Sequence, residues 1–169
     1  MLKQILVLTF IFLASLLVRA QHAELPSVER SQISGAPEVN RTELVAFAKQ
    51  FLGVAYRGGS KDPEKGFDCS GFVYYVYKQF NVTLPRSSIE YKSLGKSLKP
   101  EEFKVGDVLV FYGYKDKTHI GHVGIICEAD GMKSRFIHAS SGKAHGITIS
   151  NLGSKGYSRR FYKCIDVLE

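Results

Sequence analysis

The hydrophobic periodicity of the chain changes near Pro100, and this change constrains the fold more than any other feature. Before Pro100, apolar residues recur at helical spacing over about 40–52 and 70–80. After it come five short apolar stretches typical of strands, which read GDVLVFYGY, GHVGIIC, SRFIHAS, GITIS and RFYKCIDVL. Helices followed by strands predict an α+β domain, with N-terminal helices packed on an antiparallel sheet of five to six strands.

The first twenty residues have the composition of a secretory signal peptide. Lys3 supplies a positive charge, residues 5–18 form an apolar core, and Val18 and Ala20 occupy the −3 and −1 positions of a cleavage site. The apolar run is shorter than the ~20 residues that span a bilayer. We therefore expect residues 1–20 to be removed, leaving no stable membrane anchor.

The rest of the chain reads as a lead-in followed by one domain. Residues 21–39 are polar and contain prolines and glycine, so we expect an exposed segment before a domain at 40–169, which we expect to be monomeric. Removal of the signal peptide lowers the net charge from +7 to +5, because it contains two basic and no acidic residues. A basic exported protein favours an anionic partner such as a cell wall. Aromatic and basic residues are not interleaved as in nucleic-acid-binding motifs, so we expect no nucleic-acid partner.

One cysteine lies where a glycine-rich loop becomes a helix, in the stretch GFDCSGFVYYVY. The unpaired N–H groups of the first helical turn stabilise a thiolate at Cys69 and lower the pKa of its thiol, whereas the charge of Asp68, the expected N-cap, acts in the opposite direction. This stretch alone leaves two interpretations, a nucleophile and a small buried apolar residue. Cys127 and Cys164 lie in strand-like stretches and either form a disulfide or are buried separately.

A nucleophilic cysteine needs a base, which is usually histidine. His122 opens one predicted strand and His138 closes the next, whereas His22 lies beside the cleavage site and His145 lies in a predicted turn. If the two strands form a hairpin around 129–131, the histidines are directly opposed when the numbers of paired residues add to 260. A strict two-residue turn shifts the register by one residue and places the two histidines on opposite faces of the sheet. The pair therefore requires a loop of odd length or a bulge.

Five motifs, GFDCSGFVYYVY, LPRSS, VGDVLVFY, GHVGII and FIHAS, occur in this order. Together they resemble the papain-like NlpC family of cell-wall cysteine peptidases, over approximately residues 42–166. The resemblance implies a papain-like fold. It also implies that Cys69 is the nucleophile, that His122 is the base and that His138 is the polar third member of the catalytic group.

The same resemblance implies further roles near the nucleophile. Tyr56, in the stretch YRGG, is expected to assist the oxyanion hole or to place the substrate, and Asp68 and Ser70 are expected to contact substrate. Arg86, in LPRSS, either faces the cleft or is a structural loop residue. The family requires no metal or other cofactor.

The resemblance also implies the substrate. The family hydrolyses stem peptides of bacterial peptidoglycan, usually at the bond between γ-D-glutamate and an L-diamino acid, so we expect an exported enzyme that is periplasmic or extracellular and associated with the cell wall. A D,D-endopeptidase that opens cross-links, an amidase of the same fold and a non-catalytic wall-binding module are alternatives. A zinc hydrolase built from His119, His122 and His138 is disfavoured, because residues three apart on a strand face opposite sides.

Overall fold

The computed structural model describes residues 38–168. The predicted signal peptide and nearly all of the predicted lead-in fall outside the described residues. Within 38–168, no helix combines the length and the apolar character that a membrane crossing requires.

The first helix, α1 (Arg41–Lys49), begins where the sequence predicts, because Asn40 caps it. The Asn40 side chain accepts hydrogen bonds from the backbone N–H groups of Thr42 and Glu43 at 3.1 and 3.2 Å. The chain leaves the helix through a turn that reaches Gly53, whose φ of +86° favours glycine. Leu52, the last residue of the predicted helical stretch, is 48% exposed because the helix has ended before it.

The second helix, α2 (Cys69–Lys78), carries the predicted nucleophile at its first residue. Its inward face is the predicted one, and the side chains on it are fully buried: Phe72, Val73, Val76 and Tyr77. A 3₁₀ helix, Ser88–Lys92, follows, and in it Glu90 accepts a hydrogen bond from the Ser87 backbone N–H. A second 3₁₀ turn spans Pro100–Glu102.

All five predicted strands are present. They are β3 (Val108–Tyr112), β4 (Ile120–Glu128), β5 (Arg135–Ser140), β6 (Gly146–Asn151) and β7 (Phe161–Ile165). They form one antiparallel sheet in the order β6-β5-β4-β3-β7. Two short strands, β1 (Lys61–Asp62) and β2 (Gly66–Phe67), pair separately in the glycine-rich loop. A short helix that we did not predict, α3 (Lys155–Ser158), precedes β7. These elements confirm the α+β prediction.

The sheet is buried on both faces, as the alternation along β3 illustrates. Val108 and Val110 belong to the larger core, which also contains the buried sides of α1 and α2. Leu109 and Phe111 point the other way into a smaller aromatic core, since successive strand residues face opposite sides. Cys127 lies in the larger core and Cys164 in the smaller one, and both thiols are free, so the two cysteines are buried separately.

Candidate active site

Cys69 is positioned by the cap of α2 and by the loop that precedes it. Asp68 adopts the N-cap conformation, and its carboxylate accepts a hydrogen bond of 2.6 Å from the Gly71 N–H. The loop lies directly against this first turn, because a methyl group at Gly71 would be 2.1 Å from the Ser60 carbonyl oxygen. Glycine in the DCSG motif therefore permits the close approach that fixes the first turn of the helix.

The sulfur of Cys69 faces strand β4. Its Sγ atom lies 4.0 Å from the carbonyl oxygen of Gly121, the residue immediately before His122, and the side chain is 8% exposed. Burial raises the pKa of the Cys69 thiol, and the negative charge of Asp68 adds to that effect. Backbone N–H groups, that of Val123 first, act in the opposite direction without reversing it. The helix terminus therefore does not lower the pKa of this thiol below its ordinary value.

The two predicted histidines share one face of the sheet, but they are not directly opposed. Ile125 pairs with Ile137, so paired residue numbers add to 262, and Gly124 is the residue across from His138. His122 is therefore the diagonal neighbour of His138, and their rings still meet, with His122 Nε2 3.0 Å from His138 Nδ1. The direct pairing in our prediction is wrong, because the hairpin loop and a bulge near Glu128 move the register by two residues.

The far nitrogen of His138 has two partners that we did not anticipate. His138 Nε2 lies 2.9 Å from Ser150 Oγ and 3.2 Å from the Tyr157 hydroxyl. Ser150 is the diagonal neighbour of His138 across β5 and β6, because His138 pairs with Thr148. The β5–β6 register would have identified Ser150 from sequence. Tyr157 lies on the unpredicted helix α3, and no motif indicated it.

The two imidazoles are held in their neutral forms by their surroundings. Burial lowers the pKa of His122 well below its ordinary value, and positive charge on His138 and Arg160 adds to the effect. Burial likewise lowers the pKa of His138 to about 4, again with a contribution from Arg160. A neutral imidazole is the form that can accept a proton, and the lowered pKa of His122 favours that form.

Arg86 is held by the residues that flank Cys69. Its guanidinium forms a bidentate ion pair with Asp68, at 2.8 and 2.9 Å, and lies 3.2 Å from Ser70 Oγ. Tyr56 lines the same cavity, and burial, followed by the charges of Cys69 and Asp68, raises the pKa of its hydroxyl. The structure thus brings all four predicted substrate-binding residues to the rim around Cys69.

Two cavities have Gly121 in their lining. The first, of about 500 Å³, is lined by Cys69 and the four residues just described. The second, of about 640 Å³, is lined by His122, Tyr157 and Arg160 among others. Glycine is required at the junction, because a methyl group at Gly121 would lie 2.7 Å from the Gly113 Cα. Cys69 therefore lines one cavity, His122 lines the other, and Gly121 lines both.

The remaining histidines lie away from this pair. His119 is exposed and bonds to the Asp116 carboxylate, and His145 is exposed with its ring centroid 5.9 Å from that of Tyr56. In the part of the chain that the structure describes, no group of three or more His, Cys, Asp or Glu side chains is arranged to hold a metal ion. His22 lies outside the described residues.

Comparison with known proteins adds independent information on this arrangement. The family model described as NlpC/P60 family matches residues 53–166. The chain is 38% identical over 122 residues to gamma-DL-glutamyl hydrolase of Bacillus subtilis, covering 72% of this chain and 28% of that protein. It is 34% identical over 119 residues to murein DD-endopeptidase MepS/murein LD-carboxypeptidase of Escherichia coli K12, covering 69% of this chain and 57% of that protein.

A solved structure gives the same assignment. The crystal structure of an NlpC/P60 family protein from Bacillus cereus superposes with a TM-score of 0.69 at 28% identity, covering 79% of this chain and 42% of that one. The chain spans less than two thirds of the length of each of these three proteins. The matched region includes Cys69, His122 and His138, and the fold agrees with the papain-like prediction. On this evidence, the chain belongs to the NlpC/P60 family.

Proposed function

We propose that this protein is an exported cysteine endopeptidase that hydrolyses peptidoglycan stem peptides. Cys69 is the nucleophile, His122 the general base and His138 the residue that orients the base. One observation carries the proposal: His122 is hydrogen-bonded to His138 at 3.0 Å and follows directly after Gly121, whose carbonyl contacts the Cys69 sulfur. A nucleophile, a base and an orienting group in this order form the arrangement that acyl transfer requires.

The hydrogen bonds determine which nitrogen acts as the base. His122 Nε2 faces His138 Nδ1, so Nδ1 of His122 is the nitrogen left for the thiol. For that Nδ1 to accept a proton, Nε2 of His122 must donate to His138 Nδ1. His138 then carries its own proton on Nε2, where Ser150 and Tyr157 provide oxygen acceptors. The network therefore supports the tautomer that the reaction needs.

The proposed reaction has two balanced stages. In the first, the thiol proton moves to His122 as sulfur attacks the carbonyl carbon, and His122 then protonates the leaving amine as the C–N bond breaks. In the second, His122 removes a proton from water, which attacks the thioester and releases the acid and the Cys69 thiol. The raised pKa of the Cys69 thiol and the lowered pKa of His122 both favour the neutral pair, so we propose that proton transfer accompanies attack.

The negative oxygen formed in each stage needs hydrogen-bond donors. The Cys69 N–H lies in the first turn of α2, where backbone N–H groups have no helical partner. The Tyr56 hydroxyl is the second candidate donor, because it lines the cavity that contains Cys69. Asp68, Ser70 and Arg86 complete this side of the cleft and are proposed to bind the acyl part of the substrate.

The preferred bond is proposed to be the one between γ-D-glutamate and an L-diamino acid. The name of the Bacillus subtilis relative supports a γ-glutamyl bond, and the residues around Cys69 match the family motifs. The name of the Escherichia coli relative supports a second candidate, cleavage of D,D cross-links. The signal-peptide pattern and the basic net charge fit action outside the cytoplasm, in the cell wall.

Digestion of purified peptidoglycan tests the proposal. Wild type, Cys69→Ala and the matched control Cys127→Ala are incubated with the substrate, and the products are identified by mass. Wild type and the control should release stem fragments that end at D-glutamate, whereas Cys69→Ala should not. Opened cross-links would instead favour the second candidate. Binding without any new product would favour a non-catalytic module, and inactivation by a chelator would favour metal chemistry.

A further inference from the structure

The cavity of about 640 Å³ that His122 lines carries positive charge. Arg160 and Lys115 both line it, together with His122 and Tyr157. Within residues 38–168, no Asp or Glu side chain forms an ion pair with either of the two cations. Among the residues that the structure describes, no carboxylate therefore pairs with the positive charge of this cavity.

Arg160 is held in a fixed position, although no carboxylate within residues 38–168 pairs with its charge. Its Nε–H donates to the Gly156 carbonyl at 3.1 Å, and one terminal nitrogen donates to the Tyr112 carbonyl at 3.2 Å. The guanidinium also lies over the rings of Tyr157 and Tyr114, at 5.1 and 5.8 Å from their centroids. These contacts use two of its five N–H groups, so a planar donor fork remains for a ligand.

The chemistry of the cleft indicates which part of a substrate reaches Arg160. This step rests on the proposed function. The acyl part stays on the Cys69 sulfur, and the leaving amine receives its proton from His122. The leaving residue must therefore extend into the cavity that His122, Lys115 and Arg160 line.

We propose that Arg160, assisted by Lys115, binds a carboxylate of the leaving amino acid and so selects leaving residues that carry one. Arginine is suited to this because its fork matches the two oxygens of a carboxylate. Diaminopimelate and lysine form a natural comparison, because diaminopimelate has the lysine side chain with a carboxylate added at its end. The preferred leaving residue is then diaminopimelate.

A leaving residue can offer the carboxylate from its side chain or from its own C-terminus. Four peptides of the form L-Ala-γ-D-Glu-X separate the two sources: X is diaminopimelate with both carboxyls free, with only the side-chain carboxyl amidated or with only the C-terminus amidated, or X is lysine. The two singly amidated forms keep the size of the residue and differ in which charge is lost. A preference that follows the side-chain carboxylate supports the diaminopimelate assignment, and one that follows the terminal carboxylate overturns it.

Two measurements on each peptide test the assignment. The first is kcat/KM in wild type, Arg160→Gln, Arg160→Lys, Lys115→Gln and the neighbouring exposed control Arg159→Gln. Wild type should prefer the fully charged peptide over its side-chain amide by about tenfold or more. Arg160→Gln should remove the preference, Lys115→Gln should reduce it, Arg160→Lys should retain part of it, and Arg159→Gln should leave it unchanged.

The second measurement is the dissociation constant of each peptide from Cys69→Ala, with and without Arg160→Gln. It does not depend on turnover, so it separates failure of this inference from failure of the proposed function. Equal affinity of Cys69→Ala for all four peptides would overturn the role of Arg160. In the kcat/KM measurement, an equal loss of the preference in Arg159→Gln and Arg160→Gln would also overturn it. If Arg160→Gln does not fold, Arg160→Lys takes its place: it should reduce the preference for the side-chain carboxylate, and an unchanged preference would overturn the role of Arg160.

Discussion

His122 Nε2 lies 3.0 Å from His138 Nδ1 across two strands on which the two residues are diagonal neighbours. Gly124 occupies the position directly across from His138, and a methyl group there would lie 2.6 Å from the Phe136 ring and 3.0 Å from the His138 Cβ. The absence of a side chain at Gly124 leaves room for His138 and lets its ring reach His122. The catalytic arrangement we propose depends on this local packing as much as on the two histidines.

Replacement of the two histidines should have unequal effects. His122→Gln removes the proposed base, so kcat should fall by about 10²- to 10⁴-fold. His138→Gln keeps a polar group beside His122, so its kcat should fall less than that of His122→Gln. His138→Ala keeps no such group, so its kcat should fall more than that of His138→Gln. Steady-state kinetics on a defined stem peptide provide the comparison. A larger loss from His138→Gln than from His122→Gln would reverse the roles assigned here.

Ser150 and Tyr157 should act through His138 rather than through the substrate. Ser150→Ala and Tyr157→Phe each remove one acceptor from His138 Nε2 and leave the other. Each variant should lower kcat by up to about tenfold with little change in KM, because one neutral hydrogen bond is lost. The fold decrease in kcat of the double variant should exceed the product of the two single decreases, since each residue can serve as the acceptor for His138 Nε2 when the other is removed. Strictly multiplicative losses would indicate that the two residues act independently of His138.

The Cys69 thiol should become reactive only at alkaline pH. Burial and the Asp68 charge raise its pKa above the ordinary value of 9.0, so the thiolate is scarce at neutral pH in the free enzyme. The rate of alkylation by iodoacetamide, followed at Cys69 by peptide mass, should keep rising as pH increases past 9. A rate that is already constant below pH 7 would instead demonstrate a preformed thiolate–imidazolium pair.

The buried imidazoles should make the protein less stable in mild acid. The pKa of His138 is lowered from 6.5 to about 4, so below pH 6.5 the unfolded chain binds a proton that the folded chain does not. The stability that depends on neutral His138 is present above pH 6.5 and is lost as pH falls toward 4, by about 3 kcal/mol. Urea unfolding of wild type and His138→Gln at pH 7.5 and 5 measures this. His138→Gln should lose less stability on acidification, and an equal loss in both proteins would contradict the assignment.

Local patterns of the sequence predict much of this fold. The capping residues Asn40 and Asp68 start both long helices where the residue types predict, because side-chain acceptors satisfy N–H groups that the helix itself leaves free. The short apolar stretches predicted the positions of the five strands, and the even sum of the paired residue numbers on β4 and β5 places His122 and His138 on one face. These features depend on neighbours along the chain or across a single turn.

The features that sequence reasoning missed depend on contacts between distant segments. The β4–β5 hairpin loop and the bulge near Glu128 together moved the register by two residues, and no local pattern specifies a bulge there. Tyr157 reaches His138 from a helix of four residues, which is too short to give a periodic signal. The upward direction of the Cys69 pKa likewise follows from burial against β4, which opposes the helix-terminus effect.

The most direct test of the central claim compares three proteins on one synthetic peptide, L-Ala-γ-D-Glu-diaminopimelate. Wild type, Cys69→Ala and Cys127→Ala are brought to equal concentrations of folded protein, and initial rates of L-Ala-D-Glu release are measured. We predict that Cys127→Ala keeps a rate close to that of wild type, whereas Cys69→Ala loses about 10³-fold or more. Cleavage by Cys69→Ala at the wild-type rate would contradict the assignment of the Cys69 sulfur as the nucleophile.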